Sequence, residues 1–409
     1  MSIYRDNDTL FIDGFDISKI ADEYGTPLYI YSFNTMVDNI YKVKKVFEGL
    51  DYKISFAMKA NGNIHILKYL KDYGLGADAV SIGEVLAAKR AGFNDNEIIL
   101  NGNGKTEQEI KYAIENDLFA VNVDSKEELL RISKILEKYN SKALNIFLRV
   151  NPDIDPKTHP YISTGLKENK FGINIQDVDE IVEIIKRNPL IKLKGFHIHI
   201  GSQLLDYKPY YDAIEILCAL YDRYSELNLE YFNIGGGWGI DYHHNNKLFP
   251  VDDYKENIIP LLKRINKKII IEFGRYIIGN SAVIVSNVLY IKKTAYKNFL
   301  VLDAGMNDLL RPSLYQAYHH VEPAIIRTSK KDIFDIVGPI CESGDVFHKN
   351  YEINSPEIGD YIVFYDVGAY GFSMASNYNM RLRPAEVLIK DNKVELIRKR
   401  ESFDEIFNY

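Results

Sequence analysis

Short runs of β-favouring, mostly apolar residues recur along the chain at 54–59, 76–80, 97–101, 119–124, 145–151, 195–201, 231–237 and 268–274. Between them, apolar positions fall at helical spacing over 63–73, 81–91, 105–115, 125–139, 175–187, 208–226 and 251–265. Eight strands alternating with helices predict an α/β chain folded as a (β/α)₈ TIM-type barrel. A doubly wound open sheet is the alternative, but it calls for a Gly-x-Gly-x-x-Gly turn after its first strand, and none follows 54–59.

Outside this region the period changes. Residues 1–34 read as short strands around the Asp13-Gly14 turn, a helix over 17–24 and a strand over 27–32. From Ala282 onward short strands dominate, at 282–291, 298–303, 332–337, 360–366, 385–390 and 393–398. The expected organisation is a barrel over 35–280 and a mostly-β domain formed by 1–34 and 281–409. The long connection at 152–173 reads as a functional loop.

Composition narrows the partners more than the fold. A net charge of −7 argues against nucleic acid or an anionic membrane as the main partner. No apolar run approaches a membrane span, the first residues lack a signal-peptide core, and two cysteines fit a reducing, cytoplasmic setting.

In such a barrel, chemistry gathers where strands end. Those ends carry Lys59, Asp78 with Ser81, Asn101, Asp124, Arg149 with Asn151, His197 with His199 and Ser202, Gly235 to Gly237, and Glu272 with Arg275. Lys59 is either a lysine reaching out to solvent or a desolvated amine poised to attack carbonyls. The alternation of His197 and His199 along a strand puts both imidazoles on one side. They could ligate a metal with Asp78, Asp124 and Glu272, form a hydrogen-bonded core pair, or offer a flat face for an aromatic cofactor. The triple glycine is either a tight turn or a backbone anion cradle. Glu272 closes the run Ile269-Ile270-Ile271, so a buried acid in need of a partner is expected there.

These residues lie in motifs that resemble the fold-type III pyridoxal-phosphate decarboxylases: Phe-Ala-Met-Lys-Ala-Asn at 56–61, His-Ile-His-Ile-Gly-Ser-Gln at 197–203, Gly-Gly-Gly at 235–237, Glu-Phe-Gly-Arg at 272–275, Cys-Glu-Ser-Gly-Asp at 341–345 and Gly-Ala-Tyr-Gly at 368–371. The stretches 148–153, 159–165, 169–172 and 373–386 are most similar to members acting on meso-2,6-diaminopimelate. The resemblance covers nearly the whole chain, in order. Phe273 departs from it, since the family usually has proline there.

The resemblance implies an alanine-racemase-like two-domain architecture and pyridoxal 5′-phosphate as cofactor, with no metal. Lys59 would hold the cofactor as a Schiff base, His199 would stack on its ring, and Glu272 would keep its pyridine nitrogen protonated. Ser202, Gly236, Gly237, Arg275 and Tyr370 would gather near its phosphate, with Asp78, Phe273 and Gly274 also in the cofactor site. Cys341, contributed by a partner subunit, would be the proton donor, whereas Cys218 reads as a small buried hydrophobe. Arg275, Arg311 and Tyr315 would read the substrate's distal carboxylate, because a carboxylate calls for guanidinium, and Glu342 its distal ammonium, with Tyr370 also in the substrate site. The implied reaction yields L-lysine and CO₂, the last step of lysine biosynthesis, in a homodimer with composite sites, although closure within one chain stays open. Relatives acting on ornithine, arginine or carboxynorspermidine, an amino-acid racemase and a non-catalytic regulator are the alternatives.

Overall fold

The computed structural model describes residues 3–155 and 170–408. The 159–165 motif and Asn169 lie outside the described residues, as does most of the 152–173 connection. The chain divides into two compact units, one comprising 42–239 and 248–274, the other 1–41, 240–247 and 275–409.

The first unit is a ring of parallel strands. In order these are Tyr52–Ala57, Gly76–Ala79, Ile98–Leu100, Ala120–Val123, Leu144–Asn151, Ile191–His197, Tyr231–Asn233 and Lys268–Ile271, each paired in parallel with the next. Lys268–Ile271 pairs back onto Tyr52–Ala57, with Ile269 opposite Tyr52, and this closes the barrel. Closure removes every sheet edge, and helices between the strands cover the outer face, so the strands read as almost unbroken apolar runs. Helices following the first strands open on side-chain caps: Asn63, Ser81, Thr106 and Ser125 each accept from a backbone N–H of the first turn. These caps fix the turns leaving the strand ends, where the polar residues sit.

Strand period stacks the barrel interior in layers. Ile99, Ala120, Phe147 and Ile270 form one buried cluster, with Phe119 and Tyr231 packed against it. Two residues further along the same strands come Asn101, Asn122, Arg149 and Glu272, and two beyond Tyr231 comes Asn233; all five are buried. An apolar floor thus underlies a polar layer.

The second unit is a β structure in which Leu28–Ser32, wholly buried, lies between Ala282–Lys293 on its antiparallel side and Ala385–Lys390 on its parallel side. The sheet continues through Asn298–Leu302, Lys331–Val337 and Val346–Asn354 at one end and Lys393–Arg398 at the other. Its core joins Leu10, Ile12, Ile17 and Ile30 from the N-terminus to Val283, Val363 and Val387. Among the described residues, no helix is long and apolar enough to cross a membrane.

Candidate active site

The polar layer of the barrel is a connected network. Asn101 Nδ2 donates to Asp78 Oδ1 and, at 3.1 Å, to Glu272 Oε1. Asn233 Nδ2 donates to the same Glu272 oxygen at 2.8 Å, and His197 Nε2 stands 3.0 Å from Glu272 Oε2. Asn122 Nδ2 lies 3.1 Å from His197 Nδ1 and also donates to Asn101 Oδ1.

The two buried acids of this network are driven apart. Burial opposes ionisation of Glu272, but the His197 contact and the Asn233 and Asn101 hydrogen bonds outweigh it and bring the carboxyl to about 2. Asp78 is pushed up to about 8 by burial and then by the Glu272 charge, against the pull of Lys59 and Asn101. One ionised carboxylate therefore sits beside one that keeps its proton.

Around this pair stand the remaining barrel-end groups. Lys59 is exposed at the end of a strand whose last four residues are buried, and its charge acts on Asp78 and His199. His199 is held well below the ordinary imidazole range by burial and then by Lys59 and Arg149, so its ring is neutral. Its Nδ1 accepts from the Gly236 N–H at 3.3 Å. A Cβ on Gly236 would fall 1.8 Å from the Glu272 carbonyl oxygen, and one on Gly237 (φ +121°) 2.2 Å from that of Gly201. Only glycine lets these backbones approach so closely. Gly274 is similarly confined, its added Cβ 2.9 Å from Ala60 Cβ, and the Phe273 carbonyl accepts from the Ala57 N–H at 3.2 Å. Ser202 is half-buried in the bend that follows the His199 strand end.

In the second unit, two buried arginines share one tyrosine. Arg275 Nη1 donates to the Tyr242 hydroxyl at 2.5 Å, and the Arg311 guanidinium lies 4.5 Å from the centre of the same ring. Arg275 also lies over the Tyr370 ring at 4.7 Å. Arg311 Nη1 is 2.8 Å from His319 Nε2, whose Nδ1 is 2.8 Å from the Tyr365 carbonyl. A carbonyl can only accept, so His319 donates from Nδ1 and accepts from Arg311. Arg311 Nε is buried without a hydrogen-bond partner, and Arg311 makes no ion pair among the described residues. The Tyr315 phenol, half-buried, also acts on both guanidiniums.

Cys341 and Glu342 lie in an exposed turn of the same unit. The Cys341 N–H donates to Asn379 Oδ1 at 2.9 Å, and the Tyr378 hydroxyl to Glu342 Oε2 at 2.9 Å. Asp345, buried, anchors the turn by accepting from the Ile340 and Met306 N–H groups.

Sequence and structure differ at several points. The strand predicted over 195–201 runs instead over Ile191–His197, so His199 lies beyond it and its imidazole is not fixed by strand alternation. Beyond His197 the backbone turns to Asn233, whose carbonyl accepts the Ile198 N–H at 3.1 Å. His197 belongs to the hydrogen-bonded network, and among the described residues no group of three or more His, Cys, Asp and Glu is placed to hold a metal ion. Cys218 is buried in the helix Lys208–Arg223, as a small hydrophobe should be. Asn122, Asn233, Tyr242 and His319 were not singled out by sequence. For the two asparagines the signal is an amide at an inward strand position, one step beyond an apolar one.

Residues 34–279 match the model of the pyridoxal-dependent decarboxylase family, pyridoxal binding domain. A diaminopimelate decarboxylase of Aquifex aeolicus is 43% identical over 405 residues, spanning 98% of this chain and 96% of that protein. The crystal structure of diaminopimelate decarboxylase from Helicobacter pylori complexed with L-lysine matches with a TM-score of 0.91 at 39% identity, covering 96% of this chain and 98% of that one. The diaminopimelate decarboxylase from M. jannaschii in co-complex with L-lysine matches with a TM-score of 0.93 at 35% identity, over 99% and 96%. With its closed parallel barrel, its β unit and matches of this length, the chain belongs to the fold-type III pyridoxal-phosphate-dependent decarboxylases, the enzyme family of the diaminopimelate decarboxylases.

Proposed function

We propose that this enzyme removes CO₂ from meso-2,6-diaminopimelate to give L-lysine, using pyridoxal 5′-phosphate in a (β/α)₈ barrel over 35–280. The β domain of 1–34 and 281–409 supplies substrate and catalytic residues. The barrel-end donor set fits the cofactor. It offers an exposed amine on Lys59, a carboxylate on Glu272 held ionised by three partners, a neutral imidazole on His199 and close-packed glycine backbone at 236 and 237. When bound, pyridoxal phosphate supplies an electron sink for the pair released as the Cα–carboxylate bond breaks.

The chain's own groups do the rest. Lys59 Nζ is the point of attachment. The Glu272 carboxylate would hold the proton on the ring nitrogen, His199 would face the ring, and Ser202, Gly236, Gly237, Arg275 and Tyr370 would take the phosphate, with Asp78, Phe273 and Gly274 lining the site. A thiol suits proton delivery to Cα because its ordinary pKa, about 8.5, lies near working pH. That assigns the step to Cys341, supplied by the partner in a cytoplasmic homodimer with composite sites.

The observation that carries the substrate assignment is the Arg275 and Arg311 pair. Two buried guanidiniums gathered on one ring, Arg311 among them with no acidic partner among the described residues, are costly until an anion arrives. A substrate whose far end is a whole amino-acid head brings that carboxylate, to be read with Tyr315, while Glu342 takes the distal ammonium and Tyr370 lines the substrate site. Ornithine offers an ammonium alone. The two related structures that hold L-lysine hold the product this reading assigns. The test is decarboxylation of meso-diaminopimelate, ornithine, arginine and carboxynorspermidine, with and without added pyridoxal phosphate. Turnover of meso-diaminopimelate should dominate and depend on the cofactor; faster turnover of any of the others removes the assignment.

A further inference from the structure

Tyr242 is the contact shared by both guanidiniums, and nothing in its motif announces a role. It lies in the segment 240–247, whose sequence neighbours on both sides belong to the barrel unit while the segment itself groups with the β unit. Two adjacent side chains hold the segment there. His243 stacks on Tyr318 at 4.3 Å with an interplanar angle of 16°, and His244 Nε2 is 2.7 Å from Asp366 Oδ2. Between these anchors and the end of the barrel sequence, Tyr242 is 6% exposed.

One aromatic ring meets two cations by two different means. The phenol oxygen accepts from Arg275 Nη1, and that guanidinium also lies 5.7 Å from the ring centre. The π face carries Arg311, at 4.5 Å from the centroid. The ring also stands edge-on to His319 at 5.3 Å and 78°, and His319 accepts from Arg311 Nη1. Arg311 is thus located by a ring face on one side and an imidazole nitrogen on another, and its Nε has no hydrogen-bond partner among the described residues. Two like charges would separate if left to themselves, and one ring holds a contact to each.

We propose that Tyr242 is a positioning residue that presets the Arg275 and Arg311 pair to receive the substrate's distal carboxylate, and so helps determine specificity for an amino-acid head over a bare amine. This rests on reading those arginines as the carboxylate site. Tyr242 acts through the arginines, not on the reacting bond. Its removal should therefore weaken recognition of the distal head and leave turnover of bound substrate largely intact.

The product supplies a clean probe. L-Lysine keeps the distal carboxylate, because the carboxylate lost is the one at the reacting carbon; cadaverine (1,5-diaminopentane) has the same chain without it. Equilibrium binding of both to the holoenzyme is compared for wild type, Tyr242→Phe, Tyr242→Leu and Arg311→Ala. In Tyr242→Phe the ring stays under Arg311 while Arg275 loses the Tyr242 hydroxyl, one of its contacts, and L-lysine should bind about tenfold more weakly. In Tyr242→Leu both contacts go, and the loss should reach about a hundredfold. Cadaverine binding should be unchanged in both, and KM for meso-diaminopimelate should rise far more than kcat falls. Should Tyr242→Leu fail to fold, Tyr242→Phe alone decides, since it keeps the buried ring. An unchanged lysine-to-cadaverine ratio in the Tyr242 variants, with Arg311→Ala still collapsing it, overturns the positioning role. An unchanged ratio in Arg311→Ala as well overturns the reading of the arginine pair, and the positioning role with it.

Discussion

His197 Nε2 stands 3.0 Å from Glu272 Oε2, and both side chains are at least nine-tenths buried. With Asn122 at His197 Nδ1 and Asn233 and Asn101 on the other Glu272 oxygen, a buried carboxylate gains three partners and can remain charged. The same network leaves Asp78, one amide away, as the acid that keeps its proton. Burial weighs on both carboxyls; His197 and the asparagines offset it at Glu272, and the Glu272 charge then adds to it at Asp78.

Lys59→Ala should abolish retention of pyridoxal phosphate. After dialysis of the purified variant, the visible absorbance of the cofactor should be gone while the wild type keeps it. A chromophore that survives dialysis in the variant would mean that another group holds it.

Cys341→Ala should separate chemistry from binding. Its thiol is exposed and its backbone is fixed through Asn379, so the substitution leaves the turn intact. Turnover should fall by about 10²-fold or more, with the cofactor absorbance unchanged. Near-normal turnover assigns the proton to a different group.

Asp78→Asn should stabilise the cofactor-stripped protein, and more so in alkali. A carboxyl raised to about 8 by burial and by Glu272 opposes folding once pH exceeds its unfolded value, about 3.9, and does so increasingly until its folded value is passed. Thermal melts should therefore show a larger gain in Tm at pH 8 than at pH 5. A gain confined to acid pH contradicts the assignment of the proton to Asp78.

Glu322→Gln should behave in the opposite sense. Burial works against its charge, but His320, Arg5 and Tyr365 outweigh burial and bring Glu322 to about 2, with Arg5 Nη2 at 2.5 Å. A depressed carboxyl contributes stability above its unfolded value, about 4.3, and loses it as pH falls toward 2. The variant should cost on the order of 2 kcal/mol at neutral pH and nothing near pH 2, measured by urea unfolding at each pH.

The barrel was legible because each strand is buried on both faces, so its residues form apolar runs that need no partner to be recognised. The helix Phe33–Val46 was not, because it follows the strand Leu28–Ser32 directly, with no glycine or proline to mark the change. The strand Val346–Asn354 is mostly half-exposed and polar, and its conformation comes from pairing with Lys331–Val337. At the proposed site, Glu272 and the glycines stand out because a buried acid and a backbone without Cβ are each costly unless put to use, while Lys59, which is exposed, stands out by its place at a strand end. Tyr242 sits in a polar stretch, Asp-Tyr-His-His-Asn-Asn, where nothing local distinguishes it. Its contacts depend on arginines 33 and 69 positions away in sequence.

The strand Leu28–Ser32 hydrogen-bonds on one side to residues 282–285 and on the other to 385–389. Synthesised early, it must wait for residues 282–285 to pair one edge and for 385–389 to pair the other, whereas every strand of the barrel ring has been made by Ile271. The nascent chain therefore carries an apolar ribbon with both hydrogen-bonding edges open for most of its birth, and shortening the chain ahead of Ala385 leaves one edge bare for good.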